Sequence, residues 1–73
     1  MRKQFKFTPY SERRRKQRGI TNQMIEEALE RPDYVKKSYE GRKMAFKKIH
    51  GGTLVVIFEE RENYIRIITL YYE

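Results

Sequence analysis

The residues best suited to chemistry in this chain are cations that can grip phosphate. Arg13, Arg14, Arg15, Lys16 and Arg18 crowd one stretch in which Glu12 is the single acid. A guanidinium presents a planar fork of donors matching phosphate oxygens, so the run suits a polyanion. It equally suits a solvated helix whose C-terminal cations complement the dipole. A second set, Arg42, Lys43, Lys47 and Lys48, follows Gly41, and Arg66 interrupts the apolar run IRIITL. Lysines at such places also guard edge strands against aggregation. An arginine inside a central strand must reach a carboxylate, solvent or a bound phosphate. Tyr71 and Tyr72 close the chain, with Tyr34, Tyr39 and Tyr64 earlier. Strand tyrosines commonly pack; near a basic face they also stack on unpaired bases or donate protons. His50, beside Gly51 and Gly52, reads first as a hairpin-flanking residue and second as a proton carrier. Glu59, Glu60 and Glu62 read as a solvated turn. Gly51-Gly52 is followed by no helix, which excludes a phosphate-cradling loop.

The elements that must position these groups follow from local pattern. Residues 3–7, KQFKF, alternate apolar Phe5 and Phe7 with polar neighbours and predict a short strand. Thr8-Pro9 supplies an N-cap hydroxyl and a proline at the first helical position, and Gly19 a left-handed stop. The helix from Pro9 to Arg18 is almost wholly polar, so it must dock weakly or through Tyr10 and arginine stems. Thr21 caps a second helix in which Met24, Ile25, Ala28 and Leu29 form an apolar stripe, ended by Pro32. This helix should be buried more deeply than the first. Tyr34–Glu40, Arg42–Ile49, Thr53–Glu59 and Tyr64–Tyr72 read as strands, with turns at Gly41, His50-Gly51-Gly52 and Glu60–Asn63. LVVIF, the most apolar run, marks the central strand. The fold class is α+β: a short N-terminal strand, two helices, then an antiparallel meander of three to four strands.

Composition limits the function classes. With 73 residues the chain has room for one domain, spanning 1–73. There is no Cys and one His, which excludes disulfides, thiolate metal sites and a zinc cluster. Neither a metal nor a cofactor is expected. No apolar stretch at the N-terminus resembles a signal peptide or a membrane span, so the expectation is a cytoplasmic protein. The net charge of +7 favours a polyanionic partner. Residues 1–20 hold eight basic residues against Glu12, and residues 36–50 hold six against Glu40. A fold that joins these two segments would present one basic face.

The chain resembles the RelE/ParE toxin superfamily. Within it the chain is most similar to an uncharacterised family of small single-domain RelE-like members: in YSERRRKQRGIT, Arg14, Arg18, Gly19, Ile20 and Thr21 match that family's helix motif His-Ala-x-x-Arg-x-x-x-Arg-Gly-Ile followed by a Ser/Thr cap. Tyr10 stands in place of the family's His. Gly41-Arg42 before a strand, LVVIF, and Thr69-Leu70-Tyr71 in the last strand continue the likeness over nearly the whole chain. It is similar also to BrnT toxins, whose last strand carries an Arg before Ile-Ile-Ser, as in Arg66-Ile67-Ile68-Thr69. RelE-type toxins cleave ribosome-bound mRNA with basic residues and often a tyrosine near the chain end, whereas ParE-type relatives act on gyrase.

The resemblance implies a RelE-like domain acting as a toxin-like RNA endonuclease or RNA-binding component, partnered by a small acidic antitoxin. Cleavage would be metal-independent attack of the RNA 2′-hydroxyl on the adjacent phosphate. In that scheme Arg66 and Arg42 hold the phosphate, Tyr71 or Tyr72 moves protons or stacks on a base, and Lys47 is the base. Arg13, Arg14, Arg18, Arg42, Lys43 and Lys48 would bind the nucleic acid. The alternatives are a non-catalytic relative that binds an acidic protein and a degenerate nucleic-acid binder. Counting Tyr64, Ile68, Leu70 and Tyr72 as its partners in alternation, Arg66 should face the open side of the sheet. There it should meet Arg42, Lys47 or Lys48 and one terminal tyrosine in a shared anion site.

Overall fold

The first helix of the computed structural model, which describes residues 4–73, is built by its caps. In α1 (Pro9–Arg18) the Thr8 hydroxyl accepts from the Ser11 N–H at 3.0 Å, and Pro9 opens the first turn. Gly19 closes it at φ 65°. The Ile20 and Gly19 N–H groups donate back to the Arg15 and Lys16 carbonyls, a Schellman closure that leaves Ile20 buried. Thr21 then caps α2 (Asn22–Glu30), accepting from the Met24 N–H at 3.1 Å. The α2 stripe performs as its spacing predicts, with Ile25 and Ala28 fully buried and Met24 and Leu29 packed at the core margin.

α1 buries only Ser11 completely. Tyr10 does not anchor it, being 56% exposed with the Arg14 guanidinium over its ring. The docking contacts are Arg15, lying over Phe7, and the helix start, where Thr8 is tied to the last strand.

Five strands form one mixed sheet: β1 (Gln4–Phe7), β2 (Tyr34–Lys37), β3 (Lys43–Ile49), β4 (Gly52–Glu60) and β5 (Tyr64–Tyr72). Their order is β1-β5-β4-β3-β2. The α+β class and the succession of strand, two helices and strands are as the sequence predicts, and β4, carrying LVVIF, is central. The first strand begins at Gln4, the predicted Lys3 lying outside the described residues, and it adds parallel to β5. β2 is shorter than its pattern suggested. It stops at Lys37, and Glu40 and Gly41, both at positive φ, turn the chain into β3. His50 and Gly51, also left-handed, make the two-residue turn into β4.

One irregularity governs the faces of the sheet. Ile57 pairs with Thr69 but Phe58 pairs with Ile67, so Ile68 is an extra residue and β5 bulges there. The Thr8 hydroxyl donates to the Ile68 carbonyl at 3.1 Å, satisfying a group the bulge removes from the ladder. Beyond the bulge the alternation of β5 reverses. Ile65, Ile67, Leu70 and Tyr72 face the helices, together with Leu54, Val56, Phe58, Ala45, Phe5 and Phe7. Tyr64, Arg66, Thr69 and Tyr71 lie on the opposite, open face. Leu70 and Tyr72 are therefore not on the side of Arg66, contrary to simple alternation. Among the described residues no helix is long and apolar enough to cross a membrane.

Candidate nucleic-acid interface

The register lines up charged residues across the open face. Arg66 pairs with Lys6 on β1 and with Glu59 on β4, and Arg42, one residue before β3, reaches the same carboxylate. Glu59 accepts from Arg42 Nε at 3.3 Å, from the Arg61 guanidinium at 2.9 Å and from the Arg66 guanidinium at 3.4 Å. Its side chain is only 13% exposed, while those of Arg42, Arg61 and Arg66 are 34%, 52% and 46% exposed. Partial burial pushes the Glu59 carboxyl up, but the hydrogen bonds and charge of the three arginines outweigh it, so the group stays ionised below its ordinary range. Glu40 lies 3.9 Å from Arg42 and is itself largely exposed. Lys6 lies over the Tyr64 ring, 4.6 Å from its centre.

A second row crosses the same face. Tyr71 pairs with Val55, Val55 with Phe46, and Phe46 with Tyr34 on the edge strand. The Tyr34 and Phe46 rings stack with centroids 4.5 Å apart and planes inclined by 10°. Val55 and Phe46 are buried, whereas Tyr34 is 50% exposed. Lys36 sits within 6 Å of both ring centres. Four residue steps along β4, from Glu59 to Val55, separate the rows, about 13 Å at the usual strand rise of ~3.3 Å.

The structure gathers some of the expected site residues and scatters others. Arg66 and Arg42 meet, on the open face as expected, though a carboxylate that sequence reasoning assigned to a solvated turn already lies between them. Tyr71 shares this face but stands in the other row. Tyr72 faces the helix side and packs against Gly52. Lys47 also belongs to the helix side, paired with Asp33 at 3.7 Å, and is not part of the arginine cluster. Lys43 lies on that side too, paired with Glu60 at 3.5 Å. Lys48 alternates onto the open face and is exposed. Arg13, Arg14 and Arg18 ride on α1, which covers the other side of the sheet through Phe7. Each basic segment is thus divided between the two sides of the sheet, not joined in the single face expected: Lys6, Lys36, Arg42 and Lys48 lie on the open face, and the α1 cations, Lys43 and Lys47 on the helix side.

Glu59, Lys6, Lys36 and the pairing of Tyr34 with Phe46 were missed. Alternation within β4 held the signal for Glu59, because 55, 57 and 59 share one face and an acid opposite Arg66 makes a cross-strand ion pair. On the helix side, a groove lined by Phe5, Phe7, Leu29 and Ile65 is rimmed by Glu26, Glu30 and Glu60, which makes it a poor phosphate site.

Residues 7–72 match the model of a family described as a domain of unknown function, DUF4258. No curated protein and no solved structure matches the chain.

Proposed function

The protein belongs to the DUF4258 family, since the match covers almost the whole chain, and we propose that it is the cytoplasmic, toxin-like RNA-binding component of a toxin–antitoxin pair. The observation that carries this reading is the convergence of Arg42, Arg61 and Arg66 on one partly exposed carboxylate in an open sheet face. Like charges brought together favour an incoming anion, and guanidinium forks suit phosphate. Aromatic rings on the same face favour RNA with unpaired bases over a duplex. The resemblance to RelE-type toxins supports the same substrate class.

The row also contains what RNA cleavage needs. The 2′-hydroxyl attacks the neighbouring phosphorus and passes its proton to Glu59, while Arg42 and Arg66 stabilise the phosphorane. The bond to the 5′ oxygen then breaks, and that oxygen takes a proton from Tyr64 or water. As the arginines turn from the carboxylate to the phosphate, Glu59 regains basicity. The cations of α1, on the opposite side, suit an acidic antitoxin segment without blocking this face.

The test is titration of a fluorescein-labelled single-stranded RNA at low salt, followed by anisotropy. Arg42→Gln/Arg66→Gln should bind at least tenfold more weakly than the parent, with its fold intact by circular dichroism. Equal affinity would overturn the assignment of RNA to this face. Denaturing gels of the same RNA, comparing the parent with Glu59→Gln, separate a nuclease from a binder.

A further inference from the structure

The aromatic row is more than hydrophobic cover for the sheet. A ring that serves only as a cap over Phe46 would be shielded in turn by its neighbours, yet Tyr34 keeps half its surface while stacked at 4.5 Å on Phe46. It sits on β2, at the edge of the sheet, so among the described residues no further strand covers its other face. Beneath it, Phe46 and Val55 are buried and hold the stack in place. Lys36 places an ammonium 5.8 Å from the Tyr34 ring centre, suited to a phosphate attached to whatever stacks there. An edge strand made of YVKK, entirely exposed, with its aromatic ring stacked inward and Lys36 on the same face, combines the two features of single-strand binding sites: a π-face and a cation beside it.

We infer that Tyr34, supported by Phe46, is a base-stacking subsite, and that RNA lies along the strands from the arginine row to this platform. This rests on the RNA reading above and adds to it a minimum substrate length. The rows are about 13 Å apart by strand rise, further than one nucleotide reaches from its phosphate to its own base. The base on Tyr34 therefore belongs to a different nucleotide from the phosphate at Arg42 and Arg66. A mononucleotide cannot occupy both rows; a short single-stranded oligomer can. Paired bases have no free face for the ring, so a duplex gains nothing from the platform.

The probes are single-stranded RNA oligomers of one to six nucleotides, plus a six-nucleotide analogue with ribose and phosphate but no bases. Stacking on one aromatic ring is worth roughly a fivefold to hundredfold gain in affinity. Tyr34→Leu should lose that gain for the hexamer and lose nothing for the mononucleotide or the abasic analogue, while Tyr34→Phe keeps it. The salt dependence of hexamer binding should not change in Tyr34→Leu, because no phosphate contact is removed. Should Tyr34→Leu fold poorly, the parent alone decides: it must bind the hexamer better than the abasic analogue by the same factor. Equal binding of hexamer and abasic analogue by the parent, with Arg42→Gln/Arg66→Gln still impaired, overturns the stacking subsite and leaves the RNA face standing. If Arg42→Gln/Arg66→Gln binds like the parent, the RNA reading itself fails.

Discussion

Replacing Arg42 and Arg66 together by Gln should change how RNA affinity depends on salt by an amount that can be worked out beforehand. Each phosphate neutralised on a single strand contributes about 0.7 to the slope of log affinity against log salt. Two lost contacts lower the slope by ~1.4. Between 50 and 200 mM salt, a fourfold rise, the parent should therefore lose about sevenfold more affinity than the variant. The comparison is clean because neither side chain supports the core. Both are partly exposed, and Glu59 keeps Arg61 as a partner. The ion pairs they give up are between groups at the protein surface, which contribute little to stability, so the variant should remain folded at the assay temperature. Arg14→Gln/Arg18→Gln, on α1 at the other side of the sheet, is the control and should leave the slope as it is. The measurement is fluorescence anisotropy of one labelled oligomer over a salt series. A slope that drops in the α1 variant and stays fixed in the Arg42/Arg66 variant would place the RNA on the helices and refute the reasoning.

The core should yield to Ile25→Ala. Its side chain is fully buried, such truncations cost about 2–5 kcal/mol, and a domain of this size has only about 3–5 kcal/mol in all. Circular dichroism should find that variant largely unfolded at 25 °C and Leu29→Ala, at the core margin, still folded; the opposite order would show the helix stripe to be misread. Gly51→Ala forces a side chain to φ 81° in the β3–β4 turn and should cost on the order of 1 kcal/mol, read as a melting point lower by several degrees; an unchanged melting point would mean that the turn relaxes. Glu59 gives a pH signature. Its carboxyl is held below the ordinary 4.5, so its stabilisation is complete above that value and disappears as pH falls through the lowered one. Glu59→Gln should accordingly show a smaller loss of stability on acidification than the parent, and parallel acid-melting curves would contradict the ion-pair geometry.

Much of the architecture could be read from single residues because the determinants are local. Thr8, Gly19 and Thr21 fix helix ends through hydrogen bonds between residues no more than five positions apart, Pro9 does so through its fixed φ, and spacing along α2 fixes which face is buried. The parallel pairing of β1 with β5 was not legible, since its partners are some sixty residues apart and no turn connects them. β2 ended early for a related reason: left-handed Glu40 is an uncommon conformation for a residue with a side chain, and only the neighbouring glycine hinted at it.

The candidate site was legible in its residues and illegible in its arrangement, and the bulge at Ile68 shows why. Strict alternation through β5 would put Leu70 and Tyr72 on the side of Arg66. That would either bring the arginine under the helices or expose Leu70, which is fully buried. One inserted residue removes the conflict, so that Ile65 and Ile67 before it and Leu70 and Tyr72 after it all face the core. The anchor for that insertion is the Thr8 hydroxyl on the Ile68 carbonyl, sixty residues away in sequence. The same threonine that caps α1 thus stabilises the shift that turns Tyr72 inward and leaves Tyr71 with the aromatic row. Of two adjacent tyrosines with identical chemistry, a threonine hydroxyl sixty residues away selects the one that lies on the open face.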